Sequence, residues 1–398
     1  MKKKIAYINV VCNGSTGKIV RDLATNSKKS GFESLVCYGR GSGNNKLNCY
    51  KIDTKISILF HIILARLGFN GHGSYFSTKK LVKTLKNYNP DIIYLHNIHG
   101  YYLNLKVLFN YLKNEYSGRI IWELHDCWAF TGHCSYFTYV NCNKWKKSCS
   151  KCPRLNIYPK EYLDTTKREY NLKKKLFSNI NNLKIVTPSN WVRDLVKDSF
   201  LKQYDIETIY NGIDLSIFKY AIDEKIYNKY NIPKDKKILL GVANVWEERK
   251  GLNIFFELSK LIKDDEIIVL VGLNDKQIIN LPPKIIGIKR TDNQKELVNI
   301  YSIANCFINP SFEETFSLVT VEAMACGLPV VVCGMSAPKE LVNEKVGKIV
   351  YNYYDAYSYY NAYQKLTSKN VDKKLIMEYA QRFSNKKMIE KNIDIYKE

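Results

Sequence analysis

The sequence has no long apolar run. Its most apolar stretch after the N-terminus, Ile56 to Phe69, contains His61 and Arg66 and falls short of the ~20 residues that a membrane-spanning helix needs. It is read as an amphipathic helix. The opening MKKKIAYINVV places lysines before apolar residues, but that run is short, includes Asn9 and lacks a small-residue cleavage pattern. It reads as a first buried strand and not as a signal peptide. With 20 glycines and 10 prolines in 398 residues, and no repeat or low-complexity tract, a fibrous or disordered chain is excluded. Acidic residues are scarce. There are 38 Asp and Glu against 61 Lys and Arg, a formal charge of +23, which favours anionic partners: nucleic acid, acidic lipid headgroups or phosphorylated substrates. A chain without export or membrane signals is expected on the cytoplasmic side. There its eleven cysteines are reduced thiols or metal ligands and not a disulfide scaffold.

The length exceeds what one core usually supports, so two domains are expected. Apolar runs at Ile5–Val11, Ser34–Tyr38, Ile92–Leu95, Ile120–Leu124 and Ile185–Val186 alternate with longer amphipathic segments, as in a doubly wound α/β domain. The habit returns at Ile238–Val242, Ile267–Val271, Ile285–Ile286, Cys306–Ile308, Val330–Cys333 and Lys348–Val350. Tyr210-Asn211-Gly212-Ile213-Asp214 carries the turn residues of a hinge. The expected division is 1–208, with a Cys-rich basic insertion at about 126–175, then 209–372, then a charged C-terminal helix over 373–398 packing back on the first domain.

Residues 309–332, NPSFEETFSLVTVEAMACGLPVVV, read as a loop, a helix over Ser317 to Cys326 stopped by Gly327, and a strand from Val330. Glu314 falls in the loop and Glu322 in the helix. A loop at the carboxyl end of a parallel strand borders the crevice where open α/β sheets hold ligands, and the following helix directs backbone N–H groups into it. Such a place suits a phosphate, while the carboxylates suit hydroxyls of a ribose or a sugar. Two solvated surface glutamates are the plainer alternative. The turn Cys12-Asn13-Gly14-Ser15-Thr16-Gly17-Lys18-Ile19 has Cys12 where a P-loop needs glycine, and Ile19 where it needs Ser or Thr. It is therefore either a flexible backbone approaching a ligand or a structural tight turn. Cys127, Cys134, Cys142, Cys149 and Cys152 cluster. Cys134, Cys142, Cys149 and Cys152 fit a tetrahedral structural zinc, with disulfides or unlinked buried thiols as the alternatives.

Together the segments GSTGKI, HNIHGYYLN at 96–104, ELHDCWAFTGHC at 123–134, TPSNW at 187–191, NGID at 211–214, ERKG at 248–251 and the E-x7-E spacing of Glu314 and Glu322 resemble the retaining GT-B glycosyltransferases of family 4 type. The resemblance is strongest to bacterial members that build surface polysaccharides, and it spans nearly the whole chain. It implies two Rossmann-like domains facing across a cleft, an acceptor site in the first and a nucleoside-diphosphate sugar in the second, with no catalytic metal. By motif, Glu322 matches the glutamate on the nucleotide ribose and Glu314 the one on the donor sugar. Phe316, Ser317 and Leu318 match the backbone donors to sugar and diphosphate, and Lys250 matches the lysine on the diphosphate. Many members have an arginine six residues before that lysine. This chain has Asn244 there, so either Arg249 supplies the second charge or the donor site manages with one. His125 matches a histidine that orients the transferring sugar. His96 and His99 either line the acceptor pocket with Gly14, Ser15, Thr16 and Gly17 or are satisfied structural histidines.

The resemblance predicts transfer of a sugar from a nucleotide sugar to a glycan, lipid-linked in the leading reading, for capsule, exopolysaccharide or O-antigen. The protein would then be peripheral on the inner face of the cell membrane, with the basic Lys144–Lys175 segment toward anionic lipid. The rival classes are a basic nucleic-acid-binding protein and a GT-B-like sugar-nucleotide epimerase. The first predicts salt-dependent binding to generic DNA or RNA and no thermal response to sugar nucleotides. The second lacks the combination of ERKG and E-x7-E. No nucleic-acid partner is expected.

Overall fold

The computed structural model describes residues 2–369 and 371–398, Ser15 only in its backbone. Residues up to Tyr210 together with Ile389–Glu398 form one compact unit, and Asn211–Met388 form another.

The first unit is built on seven parallel strands: β1 (Lys4–Val11), β2 (Glu33–Arg40), β3 (Cys49–Lys51), β4 (Ile92–Leu95), β5 (Arg119–Glu123), β6 (Leu183–Thr187) and β7 (Asp205–Thr208), ordered β3-β2-β1-β4-β5-β6-β7. The second has six: β8 (Lys237–Val242), β9 (Glu266–Val271), β10 (Ile285–Ile288), β11 (Cys306–Asn309), β12 (Val330–Cys333) and β13 (Gly347–Val350), ordered β10-β9-β8-β11-β12-β13. Central strands are apolar on both faces. Ile5 to Ile8 and Val330 to Cys333 are fully buried, as parallel strands covered by helices on each side require. In each sheet the strand order reverses once, between β1 and β4 and between β8 and β11. Those reversals are where open parallel sheets leave room for ligands at the carboxyl ends of the strands.

The two expected parallel α/β sheets are present. Two edge strands, Cys49–Lys51 and Asp205–Thr208, were not expected. Both are short and carry charged residues in place of an apolar run. The stretch from Lys373 is two helices, Lys373–Ala380 and Asn385–Lys397, separated where Ser384 is extended. The first lies within the second unit, while residues from Ile389 onward belong to the first. There Tyr396 meets Tyr7 and Asn392 meets Tyr94. The apolar segment at Ile56 forms a helix, Lys55–Arg66, whose Thr54 side chain accepts from the Ser57 N–H. Side-chain caps of this kind satisfy backbone donors that a helix start leaves unpaired.

One member of the basic segment expected to face lipid does not reach the surface. Lys173 is buried, donating to the Trp128 and Thr131 carbonyls at 2.8 and 3.0 Å over the Trp128 ring. Lys144 Nζ donates to the Ser150 and Lys151 carbonyls, and Lys146 pairs with Asp198. Part of this charge holds the insertion's own chain in place.

Candidate active-site residues in the two units

In the second unit the loop after β8 and the loop after β11 flank the strand-order reversal. Glu248–Lys250 makes one 3-10 turn, and Gly251, at φ 74, starts the helix Leu252–Leu261. A Cβ on Gly251 would come within 2.5 Å of the Pro310 carbonyl oxygen, so only glycine lets the two loops approach. Phe312 N–H donates to the Arg249 carbonyl at 2.8 Å, and Arg249 Nη1 donates to the Glu313 carbonyl at 3.0 Å. Arg249 Nε also reaches Glu247 at 2.9 Å. This clamp brings Lys250 Nζ onto the Glu314 carboxylate as a hydrogen-bonded ion pair. Burial pulls the Lys250 ammonium below its ordinary pKa; Glu314 opposes that and Arg249 adds to it. The positive charge is therefore held against desolvation chiefly by Glu314, with a smaller contribution from Glu247.

Glu314 N–H donates to Ser336 Oγ at 3.0 Å, which fixes the loop from its far side. Asn309, buried at the end of β11, donates to Ser317 Oγ and Thr320 Oγ1 at 2.9 and 3.0 Å. Ser317 caps the helix Leu318–Ala325 in the left-handed region, φ 93 and ψ 79, where a non-glycine residue stores about 1–3 kcal/mol. The Asn309 bridge holds that strained start in place. The helix's first N–H groups have no partner within it, and Leu318 stands at its first position beyond buried Phe316 and Ser317. Glu322 is half-buried one turn on, where its Oε2 accepts from Tyr301 OH at 3.2 Å. Asn244 is exposed in the loop after β8. Among the described residues no hydrogen bond or ion pair joins it to Lys250 or Glu314, whereas Arg249 does meet their loop.

In the first unit the corresponding reversal lies between β1 and β4. Gly14 opens the helix Gly14–Lys29 at φ +81, and a Cβ on Gly17 would lie 2.5 Å from the Cys12 carbonyl carbon. Close packing of the turn accounts for Gly17. Buried Asn9 ties the region together, donating to the Val11 carbonyl and to Thr16 Oγ1 while accepting from Asn97 N–H. Just past β4 and β5 sit His96 and His125, stacked with centroids 5.3 Å apart and joined through His96 Nδ1 and His125 Nε2 at 3.0 Å. Glu123 lies 3.4 Å from His96 Nδ1 and 3.6 Å from His125 Nδ1, and accepts from Tyr94 OH at 3.2 Å. Burial raises the Glu123 carboxyl. Burial, and then His125, hold His96 well below the usual histidine range. His96, Glu123 and His125 are the group of three potential ligands that come within 4.8 Å of one another among the described residues. A hydrogen bond joins the two histidines, and Glu123 lies within ion-pair distance of both. His99 stands apart, with Nε2 2.9 Å from Asp126 and Nδ1 3.3 Å from Tyr158 OH. Burial raises the Asp126 carboxyl, but His99 and the Trp128 N–H outweigh it and leave it low.

Residues 16–217, just over half of the chain, match the family Glycosyltransferase Family 4, and residues 236–369 match Glycosyl transferases group 1. The chain belongs to glycosyltransferase family 4. This family 4 protein is 24% identical over 371 residues to the putative colanic acid biosynthesis glycosyl transferase WcaC of Escherichia coli K12, covering 87% of each chain. Its fold is GT-B. Sucrose-phosphate synthase from Thermosynechococcus elongatus superposes with a TM-score of 0.72 at 16% identity, covering 100% of this chain and 98% of that one. Anabaena HepE, in complex with UDP and glucose, gives 0.67 at 15% identity over 99% of each chain.

Glu123 and Asn9 had no role assigned from sequence. The signal was a polar residue inside an apolar strand run: Glu123 in Ile120–Leu124 and Asn9 in Ile5–Val11. Such a residue is buried by its strand and must find partners.

Proposed function

We propose that this glycosyltransferase moves a sugar, with retention, from a nucleoside-diphosphate sugar to a lipid-linked glycan acceptor in surface polysaccharide synthesis. The observation that carries the donor reading is the Lys250–Glu314 pair clamped by Arg249 beside the start of the Leu318–Ala325 helix. One buried cation and a helix start suit a diphosphate; two carboxylates on the same segment suit hydroxyls. Glu322 takes the ribose, with Tyr301 steadying its second oxygen. Glu314 takes a hydroxyl of the donor sugar, and Arg249 fixes the loop and adds charge. A UDP sugar is the first candidate, because a structural neighbour holds UDP and glucose.

As the bond from the sugar's anomeric carbon to the diphosphate oxygen breaks, charge develops on that oxygen. Lys250 stabilises it there. The acceptor hydroxyl forms the new bond on the same face of the sugar, and its proton passes to the departing phosphate oxygen. His125, oriented by Glu123 and His96, contacts the transferring sugar. In this reading Lys250 and the helix N–H groups supply the positive charge, so no metal takes part in the transfer. Acceptor binding falls to the first unit, where Asn97, His99 and the Gly14–Gly17 turn flank the β1–β4 reversal.

Membrane contact is assigned to the Lys55–Arg66 helix. Ile56 is 84% exposed, and Leu59, Phe60 and Ile63 follow it in the open, a stripe at helical spacing. Phe76 is also exposed, at the start of the next helix, where Lys79, Lys80 and Lys83 are exposed as well. An apolar stripe beside basic residues is what an anionic bilayer surface binds.

A thermal-shift panel of UDP, GDP and ADP sugars tests the donor reading, followed by anomeric analysis of the product formed with the stabilising sugar. Stabilisation by one nucleotide class and an unchanged anomeric configuration are expected. No response to any sugar nucleotide, or an inverted product, overturns it.

A further inference from the structure

Between β5 and the helix Thr166–Phe177 the chain runs for some forty residues with only two 3-10 turns, Trp128–Phe130 and Lys144–Lys146. Yet this segment has an interior. Phe137 packs tilted against Trp145 with centroids 4.7 Å apart, Phe130 lies 5.3 Å from Trp145, and Trp145 is 1% exposed. A segment without strands or helices has few backbone hydrogen bonds to hold such packing.

Cys134, Cys142, Cys149 and Cys152 all line one cavity of about 10 Å³ against Phe137 and Trp145, about the space of a single small ion or water. None of the four is in a disulfide. Cys134 Sγ and Cys152 Sγ are 3.7 Å apart. That is far beyond the roughly 2.0 Å of a disulfide, and it matches one edge of a tetrahedron with metal–sulfur bonds of about 2.3 Å, which is about 3.8 Å; neither Cys142 nor Cys149 comes within 4.8 Å of both these sulfurs, so a bound ion would have to draw those two thiols inward.

We propose that Cys134, Cys142, Cys149 and Cys152 bind one zinc ion, a structural site that knots the irregular segment of the first unit. Three further observations favour it over a chance cluster of thiols. The Gly132 N–H donates to Cys149 Sγ at 3.1 Å, and the Arg154 N–H points at Cys152; such donors stabilise thiolates bound to a metal. Lys144 lines the same cavity and supplies positive charge beside a four-thiolate zinc centre, which is doubly negative. His133 also lines it, but its Nε2 is hydrogen-bonded to the Arg154 carbonyl at 3.2 Å, and its Nδ1 lies 3.1 Å from the Glu161 carboxylate without a hydrogen bond, so both nitrogens lie against groups other than the thiols. Cys127 is not among the lining residues, which leaves the four.

The site would act at a distance on the sugar-contacting histidine. Thr131 Oγ1 donates to the Cys134 carbonyl at 2.6 Å, and the Cys127 N–H donates to the Ser135 carbonyl at 3.0 Å, so Cys134 is tied to the turn that carries His125 and Asp126. The zinc assignment itself does not depend on the donor reading.

Elemental analysis of full-length protein, purified without added metal and dialysed briefly against EDTA, is expected to give about one zinc per chain. Stepwise mercurial titration should release that zinc as four thiols react. Reconstitution with cobalt should give the visible spectrum of a tetrahedral four-thiolate site. Cys142→Ser should lose the metal and melt at a lower temperature, while Cys306→Ser, in the second unit's sheet, should keep it. Four freely reactive thiols without metal, a Cys134–Cys152 disulfide in the mass spectrum, or zinc that EDTA removes without lowering the melting temperature would each overturn the proposal. These readings come from the wild-type chain, so a Cys142→Ser variant that fails to fold leaves the test intact.

Discussion

Neutralising Glu314 should separate sugar contacts from diphosphate contacts. Its carboxylate is ion-paired with Lys250, and both side chains are largely enclosed, at 13% and 16% exposed. In Glu314→Gln two effects act on a bound nucleotide with opposite sign. A carboxylate about 6 Å from a phosphate charge repels it by about 3 kcal/mol at an effective dielectric of 20; partial exposure reduces this, and the variant is relieved of it. Against that, Lys250 loses the partner that opposes its desolvation. Free nucleoside diphosphate should therefore bind the variant as tightly as wild type, or up to about tenfold more tightly, which is ~1.4 kcal/mol. Turnover should fall, because a charge-assisted hydrogen bond to a sugar hydroxyl is worth roughly 1.5–3 kcal/mol, or about one to two powers of ten in rate. The same change should move the alkaline limb of the pH–rate profile to lower pH, since Lys250 is already depressed by burial and Glu314 is the main group that opposes this, ahead of Glu247. Glu322→Gln should do the reverse: nucleoside diphosphate binding weakens by about one to two powers of ten as the ribose loses its charged acceptor. Calorimetric titration of both variants with the free diphosphate, beside turnover with the sugar donor, reads all of this. Equal loss of diphosphate binding in the two, or full activity in either, would refute the assignment.

Three further outcomes are expected. His61 accepts from the Gly71 N–H through Nε2 and meets Ser74 through Nδ1, so its ring is held neutral, and burial brings its pKa to about 4. The unfolded chain thus takes up a proton between pH 6.5 and 4 that the folded chain refuses; stability is full above 6.5 and falls by up to roughly 3 kcal/mol toward pH 4, and denaturant titrations should show this slope reduced in His61→Gln. Lys173→Met leaves the Trp128 and Thr131 carbonyls without their buried donor and should lower stability by roughly 2 kcal/mol or more; an unchanged denaturation midpoint counts against that lysine's anchoring role. Wild-type protein should pellet with anionic vesicles at low salt and bind weakly at high salt, while Phe60→Glu with Ile63→Glu should abolish pelleting and leave the circular dichroism spectrum unchanged; retention of pelleting in that variant removes the Lys55–Arg66 helix as the membrane face.

The sheets were legible because their central strands are continuous apolar runs, and Ile5–Val11 or Val330–Cys333 can hardly be anything but buried parallel strands. The edge strands were not. Asp205-Ile-Glu-Thr and Cys49-Tyr-Lys are half-exposed, and a strand with one paired side and one solvated side needs no apolar run to form. The helix from Ser317 was expected from its spacing, but its strained cap was hidden, because the sequence offers no glycine where the backbone turns left-handed. Only Asn309, eight residues earlier, explains how a serine is held there.

The site shows the same division between what is local and what is not. Glu314 and Glu322 stood out from their place in a loop and helix after a parallel strand, whereas Lys250 and His125 stood out only because their motifs resemble those of the glycosyltransferase family. What the motifs could not state is pairing. Lys250 and Glu314 are 64 residues apart, and His96 and His125 are 29 apart. In both units the partners are delivered by adjacent parallel strands, β8 with β11 and β4 with β5, and strand adjacency is a property of sheet order, which no local pattern records. The consequence is chemical: a motif reading leaves Lys250 as a free charge, whereas the sheet gives it a carboxylate partner, which in the proposed mechanism sets how much of that charge a leaving group can use. The Glu314→Gln titration measures that difference directly.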